Sequence, residues 1–209
     1  MSLSLLFAHG WALDRTLWDP VLAALGADAE GAAVRDAGYY GRPADPKPEG
    51  PALGVGQSLG ALELLNDPPP GLRGVVALDG FARFGPAPDF PEGVRSRVLE
   101  RMNRRLAQGA LDEFVSRAGG ARPAGKPDPE RLTEGLERLH TLDGRACRLP
   151  VWRLHAEGDP IAPLAMADAS FAGLKVVGRR TRPSTDHLSP QHAPEACADL
   201  IRAALKALS

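Results

Sequence analysis

Short apolar runs alternate with amphipathic stretches along most of the chain. Runs that are apolar on both faces and rich in Val or Leu are typical of strands buried in a parallel sheet. Six such runs, bounded by Gly, Pro or Asp, are SLLFAHG (4–10), AAVRDAG (32–38), PALGVGQ (51–57), GVVALDG (74–80), PVWRLHAEGD (150–159) and LKVVGRR (174–180). Most intervening stretches place apolar residues at helical spacing, as in 16–26, 58–66 and 194–208. This alternation predicts an α/β fold on a parallel sheet of about six strands flanked by helices.

The region between the fourth and fifth predicted strands has no convincing strand pattern. Three helices are predicted there instead, over 91–109, 109–120 and 127–144. Asp128 is the expected N-cap of the third helix. We therefore divide a single domain into a core, residues 1–82 and 149–209, and a helical cap, residues 83–148, inserted between strands. The cap is expected to lie over the carboxyl ends of the strands.

Composition and charge narrow the class of protein further. The 209 residues are 44% hydrophobic and 24% charged, with a net charge of −1, which argues against general nucleic-acid binding. The two cysteines, Cys147 and Cys197, are too few for a disulfide framework, and no cluster has metal-ligand spacing. The start, MSLSLLFAHG, predicts neither a signal peptide nor a membrane span. We expect a cytoplasmic protein.

A G-x-S-x-G motif follows the third predicted strand directly. Its serine is Ser58, between Gly56 and Gly60, and a helical pattern begins immediately after it. A sharp turn from strand to helix with this motif is typical of a nucleophile elbow, in which glycines make room and the serine hydroxyl projects. The helix N-terminus adds partial positive charge where an oxyanion would develop. The sequence therefore predicts Ser58 as a nucleophile.

A nucleophilic serine needs a base, and the base needs an acid that orients it. Asp159 follows the fifth predicted strand, and His187 lies between the last strand and the last helix. Both positions fall at the sheet edge where Ser58 is expected, which predicts His187 as the base and Asp159 as the acid. Asp79, at the end of the fourth strand, is the alternative acid. His9 and His155 are expected to be structural.

An oxyanion hole needs two N–H donors directed at one point. The N–H of Leu59, next to Ser58, is the first candidate. The turn His9-Gly10-Trp11 after the first strand offers the second, the N–H of Trp11, because Gly10 permits a close approach. The Trp11 ring would then form a wall of the pocket.

Together these motifs resemble those of the α/β-hydrolases. The likeness extends across nearly the whole chain and is carried by HGWALDRTLWDPVLAAL, GQSLG, GDPIAP and the late DH. H-G-W, with GLERLHTLDGRA and PVWRLHAEGDPIAP, is similar to the pimeloyl-acyl-carrier-protein methyl ester esterases of biotin synthesis. The resemblance implies the triad Ser58, Asp159 and His187, oxyanion donors Trp11 and Leu59, no cofactor, and a carrier-bound acyl methyl ester as substrate. The alternatives are a small-molecule carboxylesterase, a C–C bond hydrolase and a non-catalytic binding scaffold.

Two departures from the family pattern imply a trimmed fold. Few residues precede LLFAHG, so the family's first two strands are expected to be absent. Only ADPKPEG (44–50) separates GYYGR from the strand before Ser58, where the family usually has a helix. One sheet edge should be more open as a result, which is compatible with either a monomer or a dimer.

The first predicted cap helix carries five arginines against two glutamates. The arginines are Arg95, Arg97, Arg101, Arg104 and Arg105. Such a stripe can dock an acidic partner such as acyl carrier protein, or it is simply a solvated helix face. Arg97 and Arg101 lie four positions apart, and both are expected to face outward.

Overall fold

The computed structural model describes residues 3–209, which form one six-stranded sheet with all strands parallel. The strands are β1 (Ser4–Ala8), β2 (Ala33–Val34), β3 (Ala52–Gln57), β4 (Leu72–Leu78), β5 (Val151–Ala156) and β6 (Val176–Arg182). Their order across the sheet is β2-β1-β3-β4-β5-β6. The predicted six-stranded parallel sheet is therefore confirmed.

Eight α-helices connect these strands within the described chain. They are α1 (Asp19–Leu25), α2 (Leu59–Asn66), α3 (Ser96–Arg104), α4 (Ala110–Ala118), α5 (Pro129–Thr141), α6 (Leu164–Ser170), α7 (Ser189–His192) and α8 (Pro194–Leu208). Short 3-10 turns lie at Arg15–Trp18, Gly26–Ala29, Leu106–Gln108 and Gly144–Ala146. Among residues 3–209, no helix combines the length and the apolar character needed to cross a membrane.

The helices cover both faces of the sheet, because successive side chains of a strand point to opposite sides. Leu5 and Phe7 of β1 belong to a core cluster with Trp18 and with Ile201 of α8. Leu6, one position along, packs instead in the cluster that contains the apolar side of α2. Burial on both faces explains why the strands are continuous apolar runs.

The segment predicted as the cap, residues 83–148, for which we keep that name, contains α3, α4 and α5, and its first helix starts later than predicted. A helix start at Pro91 is wrong, because α3 begins at Ser96. The N–H of Val94 donates to the carbonyl of Phe84 at 2.8 Å. A Cβ on Gly93 would lie 2.6 Å from the carbonyl oxygen of Gly85. This backbone pairing holds the segment before Ser96 in an irregular turn. Helix α5 begins as predicted, with the Asp128 side chain accepting from two N–H groups of its first turn.

The connection from β2 to β3 contains no helix over residues 35–51, all of which the structure describes. A cavity of about 480 Å³ borders this connection and the cap helix α5. Its charged lining is largely paired within itself, since Arg35 pairs with Asp45 at 2.7 Å and Arg138 with Glu63 at 3.1 Å. The connection therefore runs from β2 to β3 without a helix. These ion pairs balance much of the charge at this surface.

Candidate active site

Ser58 occupies the turn between β3 and α2 in a conformation that few residues adopt. Its φ is +53° and its ψ is −120°. A Cβ on Gly56 would lie 2.4 Å from the Ala61 nitrogen, and one on Gly60 would lie 2.1 Å from the Ala8 carbonyl oxygen. Both flanking positions therefore have no room for a side chain. A strained serine between two obligatory glycines is the geometry expected of a nucleophile elbow.

Three side chains from distant parts of the chain meet at this turn. The Nε2 atom of His187 lies 2.8 Å from the Oγ atom of Ser58, and its Nδ1 atom lies 2.6 Å from Oδ2 of Asp159. All three residues are buried. With the ring proton on Nδ1, His187 donates to the carboxylate and accepts from the serine hydroxyl. The arrangement can remove a proton from Ser58 as it attacks an electrophile.

The carboxylate of Asp159 is fixed by its own loop. Its Oδ1 atom accepts from the N–H groups of Ile161 at 2.8 Å and Ala162 at 2.9 Å, which leaves Oδ2 for His187. His155 donates from Nε2 to the carbonyl of Ala162 at 2.7 Å. Burial lowers the pKa of His155, so this ring is neutral at pH 7 and acts as a structural brace.

Two opposing effects act on the base. Burial lowers the pKa of His187, but the charge of Asp159 and the hydrogen bond to it outweigh burial and raise the pKa above its usual value. The carboxylates of Asp79 and Asp186 add to this rise. The site therefore stabilises an imidazolium, the form that His187 takes after accepting a proton.

Asp79 makes a different set of contacts from Asp159. It is fully buried at φ +45°, and its Oδ1 atom accepts from the N–H of Ala156 at 3.1 Å. It also accepts from Ser189, from the N–H at 2.6 Å and from the hydroxyl at 2.9 Å. Asp79 thus joins the end of β5 to the start of α7, just beyond His187, while Asp159 contacts the imidazole ring itself.

The turn after β1 lies directly against the serine. A Cβ on Gly10 would lie 2.9 Å from the Ser58 Cβ, so glycine is required there. The next residue, Trp11, borders the same cavity as Ser58, and its indole donates to the Leu132 carbonyl of α5 at 2.8 Å. Leu59 is the first residue of α2, where helix N–H groups have no intrahelical acceptor. The structure thus places Leu59 next to Ser58 and Trp11 in the wall of the same cavity, and their role as oxyanion donors remains a prediction.

The cavity bordered by Ser58, which we call the Ser58 pocket, has a volume of about 450 Å³. Its wall is mostly apolar and comes largely from the cap. Apolar residues three or four positions apart lie on one side of a helix, so each cap helix can contribute several of them to the same wall. The main apolar side chains are Phe84, Leu99, Met102, Phe114, Leu136 and Leu139. A pocket of this kind accommodates an acyl or alkyl chain.

The five arginines of the predicted stripe do not form one outward face. Arg101 and Arg105 border the Ser58 pocket, together with Arg117 of α4. Arg105 forms two hydrogen bonds to Glu113, at 2.8 and 3.2 Å. Arg101 is exposed, as expected of an outward-facing residue, and it also borders the pocket. Arg95, Arg97 and Arg104 are exposed and do not border the pocket.

The backbone of His187 is held on two sides, by groups that the sequence pattern did not single out. Its N–H donates to the carbonyl of Ala118, the last residue of α4, at 2.9 Å. Its carbonyl accepts from the side-chain amide of Gln57 at 2.7 Å. Gln57 occupies the variable position before the serine in G-x-S-x-G. Its contact with the His187 backbone can be recognised only once the fold is known.

The fold is shared with many solved hydrolases. The hydrolase olei00960 from Oleispira antarctica superposes with a TM-score of 0.77 at 12% identity, covering 99% of this chain and 92% of that one. The esterase EaEST from Exiguobacterium antarcticum gives a TM-score of 0.76 at 14% identity, covering 99% and 93%. The protein therefore has the α/β-hydrolase fold, with six parallel strands, as the sequence predicts.

Within that fold, a more particular likeness comes from the curated proteins. The biotin biosynthesis bifunctional protein BioHC of Cellvibrio japonicus (strain Ueda107) is 29% identical over 206 residues, covering 81% of this chain and 41% of that protein. The chain thus spans about two fifths of the length of this relative. No protein-family model matches the chain.

Proposed function

We propose that the protein is a serine hydrolase that cleaves carboxylic esters. The observation that carries this proposal is the chain of hydrogen bonds from Ser58 through His187 to Asp159, at 2.8 and 2.6 Å, beside an apolar pocket. Similarity in fold to an esterase and in sequence to a biotin-synthesis protein supports it. No step of the reaction requires a cofactor.

In the proposed reaction the Ser58 oxygen attacks the ester carbonyl carbon while His187 takes the hydroxyl proton. The N–H groups of Trp11 and Leu59 donate to the oxyanion, and Asp159 stabilises the imidazolium. The intermediate then expels the alkoxide, which receives the proton from His187 and leaves as the alcohol. Water attacks the resulting acyl-enzyme with His187 again as base, which releases the acid and restores Ser58.

The substrate we propose is the methyl ester of an acyl chain carried by acyl carrier protein, as in biotin synthesis. The similarity to BioHC and the apolar Ser58 pocket favour it. A small-molecule carboxylesterase or a C–C bond hydrolase would use the same triad. Comparing kcat/KM for a carrier-bound acyl methyl ester with that for p-nitrophenyl esters separates these cases. Restoration of biotin-free growth to a strain lacking its own pimeloyl methyl ester esterase tests the pathway directly.

A non-catalytic protein of the same fold is the alternative from a different class. Stoichiometric labelling of Ser58 by a fluorophosphonate is expected for the enzyme, because only an activated serine attacks phosphorus at a useful rate. Absence of labelling in a folded protein would favour the binding scaffold.

The activity is expected to rise with pH in a range set by His187. The ring must be neutral to act as the base, and its pKa lies above the usual value of 6.5 because Asp159 stabilises the charged form. The acid limb of kcat/KM should therefore have its midpoint above pH 6.5. A pH–rate profile on a p-nitrophenyl ester measures this midpoint, and one well below 6.5 would contradict the geometry of the pair.

Carrier docking on the exposed arginines predicts a selective effect of charge reversal. Arg97→Glu with Arg104→Glu is expected to lower kcat/KM about tenfold for the carrier-bound ester, since exposed pairs contribute ~0.2–1 kcal/mol each and reversal adds repulsion. The free ester carries no acidic protein and should be cleaved at an unchanged rate. The loss should shrink as salt rises, because ~0.15 M salt screens exposed charges beyond about 8 Å.

A matched control is available on the core. Arg73→Glu with Arg180→Glu makes the same change in net charge at exposed positions outside the cap, and it should affect neither substrate. Arg101 is unsuitable for this test because it borders the Ser58 pocket. Equal losses on both substrates would indicate a distorted cap, and no loss on either would identify the arginines as a solvated face.

A further inference from the structure

The residue before the serine, Gln57, is fully buried at the end of β3, and its side chain has one unusual feature. The Nε2 atom donates to the carbonyl oxygen of His187 at 2.7 Å. The Oε1 atom is buried without a hydrogen-bond partner among the described residues. A buried polar acceptor without a partner destabilises a fold, so a purely structural role is better served by an apolar side chain.

The same amide lies against the turn that carries Trp11. A Cβ on Gly10 would lie 2.2 Å from the Gln57 Oε1 atom and 3.3 Å from its Cδ atom. One side chain therefore touches the three backbone segments of the site: the serine turn from which it extends, the loop of the base, and the oxyanion turn.

We infer that Gln57 is a positioning residue, which holds the His187 loop and the Gly10 turn in register with Ser58. The inference rests on the proposed function. Gln57 is fully buried and does not border the Ser58 pocket, so it acts on the reaction only through its neighbours. Its loss should therefore change the chemical step and leave substrate binding intact.

The test replaces the amide with apolar side chains. Gln57→Met removes the donor and the unpartnered acceptor at nearly unchanged length, and Gln57→Leu removes both with a branched side chain. On p-nitrophenyl butyrate, kcat per fluorophosphonate-titrated site is expected to fall about tenfold for either variant, the equivalent of one lost hydrogen bond. KM should stay within about twofold of the wild-type value, because binding contacts are unchanged.

The pH profile distinguishes positioning from a general loss of stability. A looser contact between His187 and Asp159 lets burial lower the pKa of the ring, so the acid limb should move to lower pH in both variants. Val75→Ala is the matched control, since Val75 is fully buried in the neighbouring strand β4 and packs in the core cluster that contains Leu6 and Leu64 and no residue of the His187 loop. It should lower the thermal midpoint but leave kcat and the acid limb unchanged.

The outcomes separate the inference from the proposed function. Wild-type kcat and an unmoved acid limb in either folded variant would overturn the inference alone. A wild-type protein that neither cleaves the ester nor reacts with the fluorophosphonate would overturn the proposed function and the inference with it. If one variant fails to fold, the other gives the same reading, because both remove the donor to His187.

Discussion

Replacing Ser58 with alanine is expected to reduce ester turnover about 10⁶-fold, the loss typical of a triad nucleophile. The fold should be unaffected, because alanine and serine both carry a Cβ and meet the same strain at φ +53°. The substitution removes only the hydroxyl that faces His187. Turnover of a p-nitrophenyl ester by wild type and variant, with thermal unfolding as the check on folding, measures the effect. A variant with more than a tenth of wild-type turnover would end the triad assignment.

Replacing Asp159 with asparagine is expected to reduce kcat about 10⁴-fold. The Oδ1 contacts to the loop can persist, but an amide at Oδ2 would donate to His187 and stabilise the wrong tautomer. The acid limb should also move to lower pH, because the charge that raises the pKa of His187 is gone. Steady-state kinetics, with rates divided by the concentration of folded protein, measure both the loss of kcat and the shift of the acid limb.

Asp79→Asn provides the comparison, since both aspartates are buried at the same sheet edge. An asparagine there places a donor against the groups that now donate to Asp79, so the main expected effect is a loss of stability of about 1–3 kcal/mol. The kcat of the folded protein should fall far less than in Asp159→Asn. If the kinetic losses are reversed, Asp79 is the orienting acid.

The sheet and the serine turn could be predicted because local patterns determine them. Strands buried on both faces are apolar at every position, and a strand followed by G-x-S-x-G and a helix leaves few alternatives. The positions of Asp159 and His187 follow from the rule that parallel strands end at one edge. The choice of Asp159 over Asp79 agrees with the contact to the ring.

The cap and the support of the site could not be predicted with the same accuracy, since long-range contacts determine them. The start of α3 depends on the hydrogen bond between the Val94 N–H and the Phe84 carbonyl, and helix propensities contain no information about that contact. The position of Arg101 beside the Ser58 pocket depends on how α3 packs against the rest of the chain. The role of Gln57 requires His187 to be 2.7 Å away, although 130 positions separate the two in sequence.

The hydrogen bond from the His187 N–H to Ala118 has a consequence for the modularity of this protein. Because the last turn of α4 supplies that carbonyl, and the next residue, Gly119, accepts from His192 at 2.9 Å, the inserted segment is built into the scaffold of the base. Exchanging the insert for one from another hydrolase would transfer specificity only if the donor segment presents a carbonyl at the same point. We therefore expect sequence changes in α3 to leave the histidine loop in place, and changes to the backbone at the end of α4 to displace it.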